Sequence, residues 1–253
     1  WAVVRNTTTD SSRLMSWNAG TWTDRALLPQ PVEKMIQDST GGLYLLSSDG
    51  IRRWNGSAVV DGLVAPVADY PTALAASGSR AVVGTVGGNI RRLVSGSWVT
   101  DDPDGSATDS IVSVQLAGND TILVAEGQFV MRYDGTSWST FGGPTGIPVA
   151  GMWAPNSHQA VVFLQGTDYV YRMTIPGDFL NGTAGPGGGT GVQLRAAWGT
   201  SINNFWLVGN SGRVVWYDST AGYVNEDPGT SNDLDAVAGT SSSDVWVAGT
   251  HGY

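Results

Sequence analysis

The stretch LRAAWGTSINNFWLVGNSGRVVWYDSTAGYV (194–224), read against LDAVAGTSSSDVWVAGTHG (234–252), decides the architecture. A shift of 40 residues lays Gly199-Thr200-Ser201 on Gly239-Thr240-Ser241, Trp206 on Trp246, Gly209 on Gly249 and Gly212 on Gly252. Two copies in one register are an internal repeat, and a repeat sets architecture before any single motif does.

Working outward, the same order of segments returns along the whole chain. First-strand segments are VEKMIQDS (32–39), PTALAASG (71–78), IVSVQLAG (111–118), PVAGMWAP (148–155), LRAAWGTS and LDAVAGTS (234–241). Each is followed by a more continuously apolar run, such as LYLLSSDG (43–50), AVVGTVGG (81–88) and VVFLQGT (161–167). Short apolar runs bounded by Gly and Ser suit strands buried on both faces. The opening WAVVRN reads as one more of these second strands. Third strands end on a bulky residue before a turn: Trp17, Trp54, Leu93, Tyr133, Met173 and Tyr217. Asn-Gly and Asp-Gly after such a residue predict type I′ hairpin turns, which need positive φ at both central positions. Short fourth strands follow, several opened by an aromatic.

Units of about 40 residues with four strands each predict an all-β fold, a β-propeller of four-stranded blades, over 1–253 as a single domain. The repeats run approximately 1–31, 32–70, 71–109, 110–147, 148–191, 192–232 and 233–253. Six blades are expected if LDAVAG completes the N-terminal blade, which is then split between the chain ends. Seven is the alternative if the two ends are separate partial blades.

Composition agrees. The 253 residues include 35 Gly, and only 14% are charged, too few for the exposed faces of helices. Glu33, Glu126 and Glu226 are the only glutamates among 22 acidic residues; the rest are Asp, which favours turns. A net charge of −9 disfavours nucleic acid and anionic lipid. Absence of cysteine removes disulfides, thiolate nucleophiles and cysteine-ligated metals. No apolar run approaches the roughly 20 residues of a membrane span.

AWGTSINNFWLVGNSG and VAGTSSSDVWVAGTHG resemble the tandem repeat of secreted, myxobacterial-type bacterial β-propeller proteins, close to A-V-W-G-S/T-S-x-x-D-V-W-A-V-G-x-x-G. The resemblance covers about 192–253; elsewhere only period and strand order follow it. It implies a propeller fold and an extracellular, periplasmic or cell-surface location, and it carries no assigned activity. SSDGIRRW (47–54) and YDGTSW (133–138) share the composition of sialidase Asp-boxes but not their spacing. YDSTAGYV (217–224) only partly matches the tryptophan-docking motif of quinone-binding propellers.

Candidate site residues follow from chemistry. Trp22, Trp98 and Trp138 sit just after turns, where indoles could stack on sugar rings; packing between blades is the competing role. Trp153 and Trp198, on first strands, are expected nearer the axis. Asp102, Asp104, Ser106 and Asp109 place oxygens on near-alternate residues around Gly105, as in the start of a calcium loop. A solvated acidic turn is their default reading, and no other cofactor is expected. His158 and His251 read as loop substitutions rather than bases. Arg53, Arg92, Arg132 and Arg172 recur before the third-strand landmark, with stems expected to cover apolar surface. Asn6, Asn55, Asn119 and Asn181 each begin an N-x-S/T triplet.

Together these predict a non-enzymatic extracellular binding or scaffold propeller holding a protein or glycan by loops on one face. The alternatives are a carbohydrate-active propeller with axial Asp residues, and a subunit of a surface filament or envelope assembly joined through terminal strands.

Overall fold

The computed structural model describes residues 1–37, 41–63, 69–78, 80–105, 109–118, 121–142, 146–175, 179–184 and 193–250, with backbone alone for 61–63 and 179–184. Ser106, Asn119, His251 and nearly all of the Gly/Pro-rich loop 176–191 therefore lie outside the described residues or side chains. Every regular element described is a β-strand. The chain divides into two compact units, Trp1–Val114 and Gln115–Tyr253.

In the first unit, β1 (Ala2–Asn6), β2 (Ser11–Asn18) and β3 (Thr21–Leu28) form a three-stranded sheet. Two four-stranded sheets follow. One is β4 (Val32–Gln37), β5 (Leu43–Ser47), β6 (Gly50–Trp54) and β7 (Val59–Leu63); the other is β8 (Pro71–Ser77), β9 (Arg80–Thr85), β10 (Ile90–Val94) and β11 (Ser97–Asp101). The boundary between the units falls inside β12 (Ile111–Leu116), which leads a sheet with β13 (Ile122–Glu126), β14 (Phe129–Tyr133) and β15 (Trp138–Phe141).

The second unit continues with β16 (Val149–Asn156), β17 (Gln159–Leu164), β18 (Tyr169–Thr174) and β19 (Phe179–Ala184). Next come β20 (Leu194–Ser201), β21 (Asn204–Gly209), β22 (Arg213–Asp218) and β23 (Gly222–Glu226), and then the two-stranded β24 (Leu234–Ser241) and β25 (Asp244–Gly249). Strands neighbour in chain order within every sheet, the arrangement expected of short hairpin-joined repeats.

The continuous apolar runs behave as their composition dictates. All five residues of β5 and of β13 are buried, as are all but the first of β9, β17 and β21. Burial on both faces requires a sheet on each side. In the first unit, Tyr44 and Leu46 of β5 meet Ala81 and Val83 of β9, with Leu93 and Trp98 closing the layer. In the second, Val161 and Phe163 of β17 pack on Phe205, Leu207 and Tyr217. Each such side chain contributes about 1.5–3 kcal/mol relative to exposure.

The repeat's glycines mark close backbone approach. A Cβ on Gly209 would stand 2.3 Å from the Gln193 carbonyl oxygen, and one on Gly249 would stand 1.9 Å from that of Asp233. The shift of 40 thus preserves a contact that only glycine permits.

Turn chemistry departs from expectation. At Asn55-Gly56 and Asp134-Gly135 only the glycine has positive φ, so the type I′ turn read from these dipeptides does not form. Four residues separate the paired Trp54 and Val59, and likewise Tyr133 and Trp138. In these longer loops Asn55 Oδ1 accepts the Ser57 and Ala58 N–H groups, and Asp134 Oδ1 accepts those of Thr136 and Ser137. The side-chain oxygen supplies the turn's second hydrogen bond, so the first residue has no need of left-handed backbone. Positive φ at both central residues occurs instead at Ala19-Gly20 and Ser95-Gly96, in two-residue loops between Asn18 and Thr21 and between Val94 and Ser97.

First strands carry a β-bulge that no sequence signal announces. The register shifts between Val32 and Lys34, Pro71 and Ala73, Val149 and Gly151, Leu194 and Ala196, and Leu234 and Ala236. The extra residue is re-aimed sideways. Thr72 Oγ1 donates to the Ile111 carbonyl at 2.5 Å, and Arg195 reaches Asp235 on the neighbouring first strand.

Candidate functional site

In four sheets a recurring latch ties the turn after the second strand to the loop that enters the same sheet. The Gln165 N–H donates to Pro148 O at 2.9 Å, Asn210 N–H to Gln193 O at 3.0 Å, and Thr250 N–H to Asp233 O at 2.9 Å. In the first unit, Val86 N–H donates to Tyr70 O at 2.8 Å. The latch residues are polar or Pro in those three copies, whereas here they are an aromatic and a branched aliphatic, 53% and 45% exposed.

The frame beneath Tyr70 and Val86 is over-determined. Asp69 accepts the Gly87 N–H and the Asn89 carboxamide, each at 3.1 Å, and pairs with Arg91 at 3.5 Å. Buried Thr85 bonds Asn89 through both its backbone and its hydroxyl, each at 3.1 Å. A Cβ on Gly87 would stand 3.0 Å from Asp69 Oδ1, so glycine lets the carboxylate approach. The result is an apolar pair on a rigid polar mount, which loses little freedom on meeting a ligand. Its signal in the sequence is slight: an aromatic before the proline that opens a first strand.

The tryptophans singled out by sequence are dispersed. An aromatic at the first or second position of the fourth strand faces the third-strand landmark: Trp17 opposite Trp22, Leu93 opposite Trp98, Tyr133 opposite Trp138 and Tyr217 opposite Tyr223. Ring centroids are 5.2 Å apart in the Trp17–Trp22 and Tyr133–Trp138 pairs and 4.8 Å apart in Tyr217–Tyr223, within the range of favourable cross-strand aromatic contacts. Trp98 is packed between sheets, and the indole N–H groups of Trp98 and Trp138 find no hydrogen-bond partner among the described residues. Trp22 is exposed beside Trp17. Trp153 packs against the Phe205 cluster, and Trp198 lies 5.9 Å from Trp206 with its ring against Gly239.

Asp102, Asp104 and Asp109 are exposed, and Asp102 Oδ1 accepts the Gly105 N–H at 2.8 Å. Among the described residues no three His, Cys, Asp or Glu side chains gather as a metal-holding group. His158 is an exposed turn residue whose Nδ1 lies 3.0 Å from the Ile175 carbonyl. The arginine row serves packing: Arg53 lies over Tyr44 at 5.5 Å, Arg172 over Tyr217 at 4.7 Å, and Arg92 pairs with Asp101.

Electrostatics at the first strands is settled by local partners. Arg195 holds Asp233 at 2.6 Å and Asp235 at 2.5 Å. Crowding by protein lowers the pKa of the Lys34 ammonium, against the opposing pull of Glu33, although the residue as a whole is exposed. Four aspartates have carboxyls held below their ordinary value. Arg52 holds Asp49 low; backbone N–H groups hold Asp134 and Asp218 low; Thr240 and then Trp246 hold Asp244 low.

No protein-family model and no curated protein matches the chain. Solved structures do. A streptogramin B lyase superposes with a TM-score of 0.80 at 12% identity, over 98% of this chain and 90% of that one. Virginiamycin B lyase from Staphylococcus aureus gives 0.77 at 12% identity over 98% and 90%. YCF48 from Cyanidioschyzon merolae gives 0.73 at 15% identity over 99% and 92%. The fold is a β-propeller. At these identities the likeness reaches the fold and stops there, since one propeller scaffold hosts unrelated functions. Among the propellers it resembles are enzymes and, in a mitotic checkpoint complex matched at a TM-score of 0.66, a component of a protein assembly.

Proposed function

We propose that the protein is a non-enzymatic binding or scaffold propeller, exported to the cell surface or periplasm, that holds a protein or glycan by loops on one face. The observation that carries this reading is the Tyr70–Val86 latch, where apolar side chains are exposed on a mount built from Asp69, Thr85, Asn89 and Arg91. An aromatic face beside amide and carboxylate groups suits both sugar rings and peptide side chains.

Asp233 and Asp235 are committed to Arg195. Seven blades gain support over six from the seven separate sheets formed by the described residues, because 234–241 is already paired with 244–249.

The test is a glycan array and an affinity capture from cell-surface extract, run with the native protein and with Tyr70→Ser. Binding without turnover, lost in the variant while its melting temperature is kept, is the expected result. Turnover of a bound glycan, abolished by replacing one carboxylate, would replace this reading with the enzymatic one.

A further inference from the structure

We propose that Asn55 is a site of spontaneous deamidation, in which the Gly56 backbone nitrogen attacks the Asn55 carboxamide carbon. Two asparagines in the chain precede glycine, Asn55 and Asn181, and of these only Asn55 has a described side chain. A following glycine matters because no side chain shields the attacking nitrogen.

The turn exposes the Asn55 side chain and engages its carboxamide oxygen. Asn55 is exposed, and its Oδ1 accepts three hydrogen bonds, from Ser57 N–H, Ser57 Oγ and Ala58 N–H, each at 3.0 Å. These fold the carboxamide back over the following peptide and draw electron density from its carbonyl, which makes the carbon more electrophilic. Gly56 has a φ of +101°, and no atom stands within 4 Å of where its Cβ would be. No neighbour therefore crowds the Gly56 Cα beside the attacking nitrogen.

The chemistry balances without any oxidant or cofactor. The Gly56 N–H gives its proton to hydroxide or water, a bond forms from that nitrogen to Asn55 Cγ, and the bond from Cγ to the amide nitrogen breaks with loss of ammonia. Water then opens the five-membered imide at either carbonyl, leaving aspartate or isoaspartate and one added negative charge.

The fold has a place for the aspartate product. Two repeats on, Asp134-Gly135 occupies the equivalent four-residue loop. Its Oδ1 accepts Thr136 and Ser137 N–H at 2.8 and 2.9 Å, and Asp134 N–H donates to Ser137 O at 3.2 Å, as Asn55 N–H does to Ala58 O at 3.1 Å. Isoaspartate moves the side-chain carbon into the main chain and cannot keep that bond in register with Trp54 opposite Val59.

The experiment incubates the folded protein in mildly alkaline buffer and follows peptides by mass spectrometry. Cleavage after Arg53 and Arg80 isolates 54–80, whose only side-chain amide is that of Asn55. The expected result is an amide-to-acid mass gain in this peptide, several-fold faster than in peptides carrying Asn18 or Asn156. It should resolve into two products, one co-eluting with the peptide from Asn55→Asp, and that variant should keep the native melting temperature. Absence of the gain in folded protein, with its appearance after unfolding in denaturant, would show that the turn protects Asn55 and would overturn the proposal.

Discussion

The hairpins β20–β21 and β24–β25 share a motif, a register and even their irregularities, yet they differ in what they bury. Leu194 faces Gly209 as Leu234 faces Gly249; Trp198 faces Trp206 as Ala238 faces Trp246; both hairpins shift register at the same two places. Trp206 is nonetheless 5% exposed and Trp246 is 72% exposed. Strand β21 has β22 bonded along its far edge and β24–β25 packed on the Trp206 face, so Trp206 sits between Trp198 and a stacked Trp216. Strand β25 is bonded to β24 alone among the described residues, and Trp246 spends its indole N–H on Asp244 at 2.9 Å. A half-open hollow of about 150 Å³, lined by Trp206, Val214, Val245 and Val247 and edged by Glu226, Asp227 and Pro228, remains where the smaller sheet meets the larger. The motif sets hairpin geometry, and the neighbouring sheets set burial.

The comparison breaks most sharply at the tryptophans. Trp206→Ala should cost about 3–5 kcal/mol in denaturant unfolding, as removal of a large buried ring does. Trp246→Ala should stay within about 0.5 kcal/mol of the parent; a large loss there would mean its exposed face is covered in solution. The shared glycine contact comes next. Gly209→Ala forces a Cβ toward the Gln193 carbonyl and should destabilise by about 1–3 kcal/mol, seen as a lower denaturation midpoint with an unchanged slope.

Smaller effects sharpen it. Arg195 lies between the two hairpins' first strands, and its pairs with Asp233 and Asp235 are about a third exposed or more. Arg195→Ala should cost only about 0.2–1 kcal/mol, and less in high salt. The acid limb is the finest probe. The Asp218 carboxyl is held low by the Thr220 and Ala221 N–H groups, and Asp244 by Thr240 and Trp246. A depressed folded pKa adds stability that is present above the unfolded value, about 3.9, and lost as pH falls through the folded one. Asp218→Asn should therefore flatten the decline of melting temperature below about pH 4. Trp246 fluorescence should titrate with Asp244 in the same range.

The four-strand order was legible because second strands announce themselves by continuous apolar runs, and third strands by a bulky residue before a turn. LYLLS and ILVAE needed no partner to be recognised as doubly buried. The turn at Asn55 was misread because a dipeptide does not state loop length; four loop residues let its carboxamide do what a type I′ backbone would have done. The Tyr70–Val86 pair left only a slight trace, an aromatic before a proline, because its distinctness lies in comparison with latches that form only once strands pair. The first-strand bulges escaped for a related reason: Glu33, Thr72, Ala150, Arg195 and Asp235 share a backbone position and no residue type.

Residue pattern alone carried the strands and their order, since these rest on local alternation, turn residues and glycines at close backbone approach. Only the tertiary structure decided which of two tryptophans in one motif is core and which is surface, and which loop presents an apolar pair. Burial and exposure are properties of what lies on the other side of a sheet, and no residue carries that information alone.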